Sequence, residues 1–282
     1  MLDPAAVRRA FPELAGLSFL AESGQKYVFR ARKKGREVVL KVFKTGQEQE
    51  RIDREIQAVA KLSCDYVPGV LESGQRLIGG KSWPFLVEEF VQGESCRALL
   101  GRQPVQPLTA VLQLADALLR ACCDFEAQQM VHRDIKPENL IIGTSGKLWV
   151  LDFGIVRLLE LTSATLTEQR FGLFTPGYGA PEQVRNLKPK IDARADLFSV
   201  GVVLYEALNG SNPYLDRKQD ALQIVQDVCT RDLPRLGIQG DTKGRLSEFL
   251  GALTARFPSR RPRNAREALR WFEEIAASLG SP

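Results

Sequence analysis

Residues 131–142 read Val-His-Arg-Asp-Ile-Lys-Pro-Glu-Asn-Leu-Ile-Ile, a short polar stretch flanked by residues that can pack. Its polar members are those that phosphoryl transfer needs close together. Asp134 can orient a hydroxyl nucleophile and accept its proton. Lys136 can neutralise a transferring phosphoryl group. Asn139 offers a neutral oxygen to a hard cation such as Mg2+. Arg133 presents a permanently charged planar fork suited to an anion. His132 is the only histidine of the chain, so a His-rich metal site is excluded.

Two further stretches carry charge in apolar surroundings. Lys41 lies within Val38-Val39-Leu40-Lys41-Val42-Phe43. A lysine there is either an edge residue reaching water or a buried charge with a partner. Trp149-Val150-Leu151 then delivers Asp152 to a turn at Gly154, 18 residues after Asp134.

These strings and their order resemble the eukaryotic-type (Hanks-type) serine/threonine protein kinases, microbial members included. His-Arg-Asp-x-x-x-x-Asn at 132–139 is similar to the catalytic loop, Asp152-Phe153-Gly154 to the metal-binding turn, and Ala180-Pro181-Glu182 to the end of the activation segment. The resemblance covers about residues 17–275. It implies an α+β fold of two lobes, a small β-rich N-lobe and a larger helical C-lobe, with ATP and Mg2+ (Mn2+ as an alternative) in the cleft. It implies transfer of the γ-phosphoryl group to Ser/Thr hydroxyls of a protein substrate. Asp134 and Lys136 then act in catalysis, and Asn139 and Asp152 hold the metal. Lys41 is similar to the strand lysine that anchors phosphates. Glu55, 14 residues later, resembles the helix acid that pairs with it. Glu89 and Val91 fall in a stretch resembling the hinge that binds adenine, and Ile141 is a further expected nucleotide contact. Phe153, Thr175, Glu182, Asp196 and Arg261 take structural roles. Asp196 accepts hydrogen bonds from catalytic-loop amides, and Arg261 pairs with Glu182. Lys136 and Thr175 resemble serine/threonine rather than tyrosine kinases.

The chain departs from the family pattern at three places. The phosphate-covering pattern G-x-G-x-x-G-x-V aligns with Ala21, Ser23, Lys26 and Val28, so none of its glycines is present and only Gly24 lies nearby. Glycine lets backbone approach phosphate without a Cβ, so a looser cradle is expected, with Lys26 adding charge. Val39 replaces the small residue that faces adenine. Glu88 stands behind the adenine, where apolar residues are common. A carboxylate there is costly unless hydrogen-bonded, paired or protonated; it either accepts from the adenine amino group or pairs with Lys41.

Arg133 also suggests control by a phosphate that orders the loop. The candidate acceptors are Thr162, Ser163, Thr165 and Thr167, with Arg157 or Arg170 assisting. The opposing reading is that Phe171 and Phe174 hold the loop by packing. An upstream regulator or a self-dimer for autophosphorylation is the partner this implies.

The elements that must position these residues follow from periodicity. A short helix is expected over 3–15, capped by Asp3 with Pro4 in its first turn. Strand, turn and strand span 17–32, and a third strand spans 37–43. A helix covers 47–62, with Ile52, Ile56 and Val59 on its apolar stripe. Strands at 67–70 and 86–91 enclose a variable stretch at 72–83. Long helices fit 107–129 and 192–209. The expected organisation is an N-terminal helical extension (1–16), an N-lobe (17–91) and a C-lobe (92–282).

Composition bounds the rest. The 282 residues are 44% hydrophobic and 26% charged, with a net charge of +5. That suits an anionic ligand without requiring nucleic acid, and the arginines of 256–270 read as a solvated helix plus one buried pair. No apolar run reaches 18 residues, so no membrane span is expected. The five cysteines include no C-x-x-C pair and fit reduced thiols in a cytoplasmic setting. The competing readings are a nucleotide-binding pseudokinase or scaffold, suggested by the degraded glycine loop, and a small-molecule kinase. Ala-Pro-Glu argues against the latter.

Overall fold

The computed structural model describes residues 2–23, 26–44, 56–57, 59–153, 175–185, 191–215 and 220–279. It begins with α1 (Pro4–Ala10), capped by Asp3, whose carboxylate accepts from the Ala5 and Ala6 amides. The helix stops at Ala10 rather than 15, because Phe11 precedes a proline and is pushed out of the helical region. Five strands follow: β1 (Ala15–Glu22), β2 (Lys26–Lys33), β3 (Arg36–Phe43), β4 (Val70–Ile78) and β5 (Lys81–Glu89). They form one antiparallel sheet in the order β1-β2-β3-β5-β4. The stretch expected to be variable at 72–83 is instead the β4–β5 hairpin. Gly79 and Gly80, at φ +58° and +82°, make its two-residue turn.

Strand alternation gives the sheet two faces. Phe29, Leu40, Val42, Phe85 and Val87 point outward and are buried under α1, through Val7 and Phe11. The Phe11 and Phe85 rings meet edge-on at 5.0 Å. Lys26, Val28, Val39, Lys41, Leu86 and Glu88 share the other face, which looks into the cleft. Their register is Val28 opposite Lys41, Lys41 opposite Leu86 and Val39 opposite Glu88.

The C-terminal part is helical. β6 (Gly93–Ser95) pairs with β7 (Leu140–Gly143), which pairs with β8 (Leu148–Val150). Gly93 is required there, since a Cβ would lie 2.3 Å from the Ile142 carbonyl oxygen. The helices are α2 (Cys96–Arg102), α3 (Leu108–Ala127), α4 (Pro181–Val184), α5 (Ala193–Asn209), α6 (Ala221–Thr230), α7 (Arg245–Leu253) and α8 (Ala265–Leu279). Of these, α2 and α3 pack on the small sheet, α5 and α8 pack on α3 and on each other, and α7 packs on α5 and α8. Helix α5 is buried on nearly all sides, and a Cβ at Gly201 would stand 2.8 Å from Leu253, so the glycine sets the close approach of α7. Ile56 and Val59 are helical and buried against Phe43 and Leu86, joining the cleft face of the sheet to the C-lobe core. Among the described residues, no helix is long and apolar enough to cross a membrane, and all five cysteines are free thiols.

Candidate active site

The catalytic-loop residues sit between α3 and β7, on backbone that the fold holds under strain. Arg133 and Asp152 both have positive φ, +66° and +58°, a region that non-glycine residues adopt at a cost. Asp196, in the first turn of α5, accepts from the His132 amide at 2.7 Å and the Arg133 amide at 2.8 Å. Gln183 donates to the Arg133 carbonyl at 3.0 Å. Burial raises the Asp196 carboxyl to about 6, against the two amides that favour its charged form.

His132 is fully buried and serves as a strut. The Asp134 amide donates to its Nδ1, which leaves Nε2 protonated and donating to the Leu151 carbonyl. Its ring lies 5.9 Å from Phe125 and 4.6 Å from Phe153. Phe153 thus follows Asp152 into the core and fixes the segment that carries it.

Asp134 is surrounded by the groups that the resemblance names. Its Oδ2 accepts from Asn139 Nδ2 at 3.0 Å and lies 3.0 Å from Lys136 Nζ. Its Oδ1 accepts from the Thr175 hydroxyl at 2.7 Å, and Lys136 also donates to Thr175. The Asn139 amide nitrogen is committed to Asp134, which leaves its oxygen for a cation. Below this loop, Arg261 and Glu182 form a bidentate pair at 2.7 and 3.0 Å, and Arg261 also donates to the Ala255 and Arg194 carbonyls.

On the N-lobe side, four charges form a chain. Lys41 Nζ lies 2.5 Å from Glu88 and 2.7 Å from Asp152 Oδ1, and Lys26 Nζ lies 2.5 Å from the same Asp152 oxygen. The two contacts at Asp152 are ion pairs without good alignment, since among the described residues its Oδ1 meets no donor at a hydrogen-bonding angle. Burial opposes the Lys41 ammonium, yet Asp152 and Glu88 outweigh it and hold its pKa above the ordinary lysine value. At Lys26 burial prevails over Asp152 and lowers the pKa. The two lysines overcome burial at Asp152 and keep its carboxyl below the usual range. At Glu88 burial outweighs Lys41 and raises the pKa.

Of the remaining sequence-predicted positions, Ala21 is exposed at the end of β1. Ser23 closes the following turn with Lys26. Val28 and Val39 are half-buried on the cleft face. Glu89 ends β5, Val91 follows it, and Ile141 lies half-buried on β7. Gly24, Glu55, Thr162, Ser163, Thr165 and Thr167 lie outside the described residues. The anticipated Lys41–Glu55 pair lies there too. Among the described residues, the carboxylates at Lys41 are Glu88 and Asp152. Sequence reasoning missed Arg97. It donates to Glu138 and Glu206, each at 2.7 Å, and to the Tyr178 hydroxyl, beside the catalytic loop. The signal for it was Glu138, an acid between Lys136 and Asn139 that calls for a countercharge.

Residues 22–270 match the family model described as the protein kinase domain. The chain belongs to this family. It is 34% identical over 271 residues to the serine/threonine-protein kinase PknL of Mycobacterium tuberculosis, covering 93% of this chain and 65% of that protein. It is 30% identical over 239 residues to the serine/threonine-protein kinase PknB of Mycolicibacterium smegmatis, covering 82% and 37%. A probable serine/threonine-protein kinase PknB of Bifidobacterium longum is 32% identical over 208 residues, covering 70% and 30%. The chain therefore spans about 65% or less of the length of these relatives. Family membership implies ATP and a divalent metal in the cleft. The donor set agrees with this. One carboxylate (Asp152) and one amide oxygen (Asn139) are too few to cage an ion alone. They suit a hard cation that arrives with phosphate oxygens.

Proposed function

We propose that this chain transfers the γ-phosphoryl group of ATP to serine or threonine hydroxyls of a protein substrate, in a cytoplasmic signalling role. The observation that carries this reading is the setting of Asp134, whose carboxylate is held by Asn139, Lys136 and Thr175 on a loop tied to α5.

In this reading Asp134 orients the substrate hydroxyl and accepts its proton. The hydroxyl oxygen forms a bond to the γ-phosphorus, and the bond from that phosphorus to the β,γ-bridging oxygen breaks. Mg2+, or Mn2+ in its place, neutralises phosphate charge when held by Asp152 and Asn139. Lys41 anchors the α- and β-phosphates and Lys136 meets the transferred group. Lys26 supplies, as a side-chain charge, part of what glycine-loop amides supply elsewhere, and Ala21, Ser23, Gly24 and Val28 complete that loop. Val39, Glu89, Val91 and Ile141 enclose the base, and Glu55 remains a candidate second acid for Lys41. Catalysis is chiefly positioning and electrostatics. Proton acceptance by Asp134 contributes roughly 10²- to 10⁴-fold. Arg133 with a phosphate on Thr162, Ser163, Thr165 or Thr167 is the proposed control, supplied by an upstream kinase or a second copy. The roles of Phe153, Thr175, Glu182, Asp196 and Arg261 are structural.

Transfer of radiolabelled phosphate to a generic basic protein tests the reading, with Asp134→Asn beside the parent. A parent that transfers and a variant reduced by at least about 10²-fold support it. Equal rates in both, or none in the parent, refute it.

A further inference from the structure

Among the described residues Lys41 is held by two carboxylates, and the proposed chemistry leaves it one of them. Asp152 is the proposed metal ligand, and its Oδ1 is the oxygen that Lys41 and Lys26 now share. Once a divalent cation takes that oxygen, Lys41 keeps Glu88. A buried ammonium left unpaired is strongly disfavoured, so the remaining partner decides where Nζ rests.

Glu88 is well placed to be that partner. It pairs with Val39, two residues before Lys41, while Lys41 pairs with Leu86. The two side chains are therefore diagonal neighbours on one face of one antiparallel ladder, within reach for long side chains. They meet at 2.5 Å and are 6% and 7% exposed. The ladder runs without a shift from Val38–Glu89 to Val42–Phe85. Outward residues Val38, Leu40, Phe85 and Val87 anchor both strands under α1. Both ends of the ion pair thus belong to the same rigid layer, and no helix has to dock for it to form.

We propose that Glu88 is the positioning residue for Lys41, fixing its ammonium from within the sheet before nucleotide binds and while Asp152 serves the metal. The resemblance gives that task to a helix acid, Glu55, which lies outside the described residues; Glu88 supplies an acid for it from the sheet. The pair with Lys41 occupies Glu88 Oε1. This inference rests on the nucleotide-binding reading of the cleft. It adds which acid sets the phosphate-anchoring lysine.

The test uses the full chain and a fluorescent ATP analogue with Mg2+, titrated to equilibrium. The parent is compared with Glu88→Gln, Glu88→Asp, Lys41→Met, the double variant Glu88→Gln/Lys41→Met and Glu55→Gln, with thermal unfolding of each. The expected result is that Glu88→Gln weakens binding roughly tenfold, the scale of one charge-assisted contact. Glu88→Asp recovers most of that loss, and Glu55→Gln costs less than Glu88→Gln. In the Lys41→Met background, Glu88→Gln adds nothing, because the residue it positions is gone. Should Glu88→Gln fail to fold, Glu88→Met, which fills the same space without charge, is read in its place. Binding by Glu88→Gln within twofold of the parent overturns the inference and leaves the kinase reading intact. So does an equal loss in the Lys41→Met background, or a larger loss from Glu55→Gln. A parent that binds no nucleotide overturns both.

Discussion

This kinase-family chain buries two sets of opposite charges, one within its helical part and one across the cleft, and the two are built in opposite ways. In the C-lobe, Arg261 and Glu182 meet fork to fork, and the other Arg261 donors reach the Ala255 and Arg194 carbonyls. The pair is saturated with aligned hydrogen bonds and is almost fully enclosed. In the N-lobe cleft, two ammonium groups crowd one oxygen of Asp152 with poor alignment, and Glu88 balances the chain at its far end. A saturated pair has no reason to open. An over-subscribed oxygen is ready to exchange one cation for another. The difference separates a charge pair that holds two segments together from a carboxylate oxygen shared by two cations, the one proposed to take the metal.

The largest expected effect is on chemistry at the over-subscribed end. Asp152→Ala should lower phosphate transfer by roughly 10³-fold, the scale of removing a preorganised electrostatic group. Its unfolding temperature should shift less than that of the C-lobe variant described next. Radiolabel transfer and thermal unfolding on the same preparation check both parts. Near-normal turnover would remove Asp152 from the metal site and end the contrast.

Next comes stability at the saturated end. Arg261→Ala leaves Glu182 buried with no countercharge, which costs about 3–5 kcal/mol. Denaturant unfolding measures it, while turnover per folded molecule stays close to the parent's. A loss below about 1 kcal/mol would place this pair among surface ion pairs and blur the comparison.

The smallest effect concerns the added lysine. Lys26→Met removes one of two cations from the same carboxylate oxygen, so the folded state loses little. Nucleotide affinity should fall roughly three- to tenfold through the lost phosphate contact, read by the same fluorescence titration. Tighter binding in the variant would show instead that Lys26 holds Asp152 back from the metal.

Much of the candidate site was named from the sequence, because the motifs that carry the kinase resemblance restrict residue type and spacing together. Asp134, Asn139 and Asp152 stand at distances along the chain that few other functions require. Lys41 was marked by the apolar residues around it, and the partners of Asp196 and Arg261 followed from the same motif order. These are positions where local sequence and chemistry point the same way. The β4–β5 hairpin was not legible, since β4 is largely uncovered and lacks apolar alternation; only Gly79-Gly80 betrays it. The end of α1 was blurred by apolar residues that continue past Pro12 into the outer core. For the cleft charges and for Arg97, tertiary structure decided what the sequence had left open or unmarked. Glu88 reaches Lys41 through strand register, Lys26 reaches Asp152 across the cleft, and Arg97 joins Glu206 across 109 residues. A sequence announces that a buried charge needs a partner. Which partner it takes depends on how strands and helices stack, and pairing at a few ångströms has no counterpart in linear spacing.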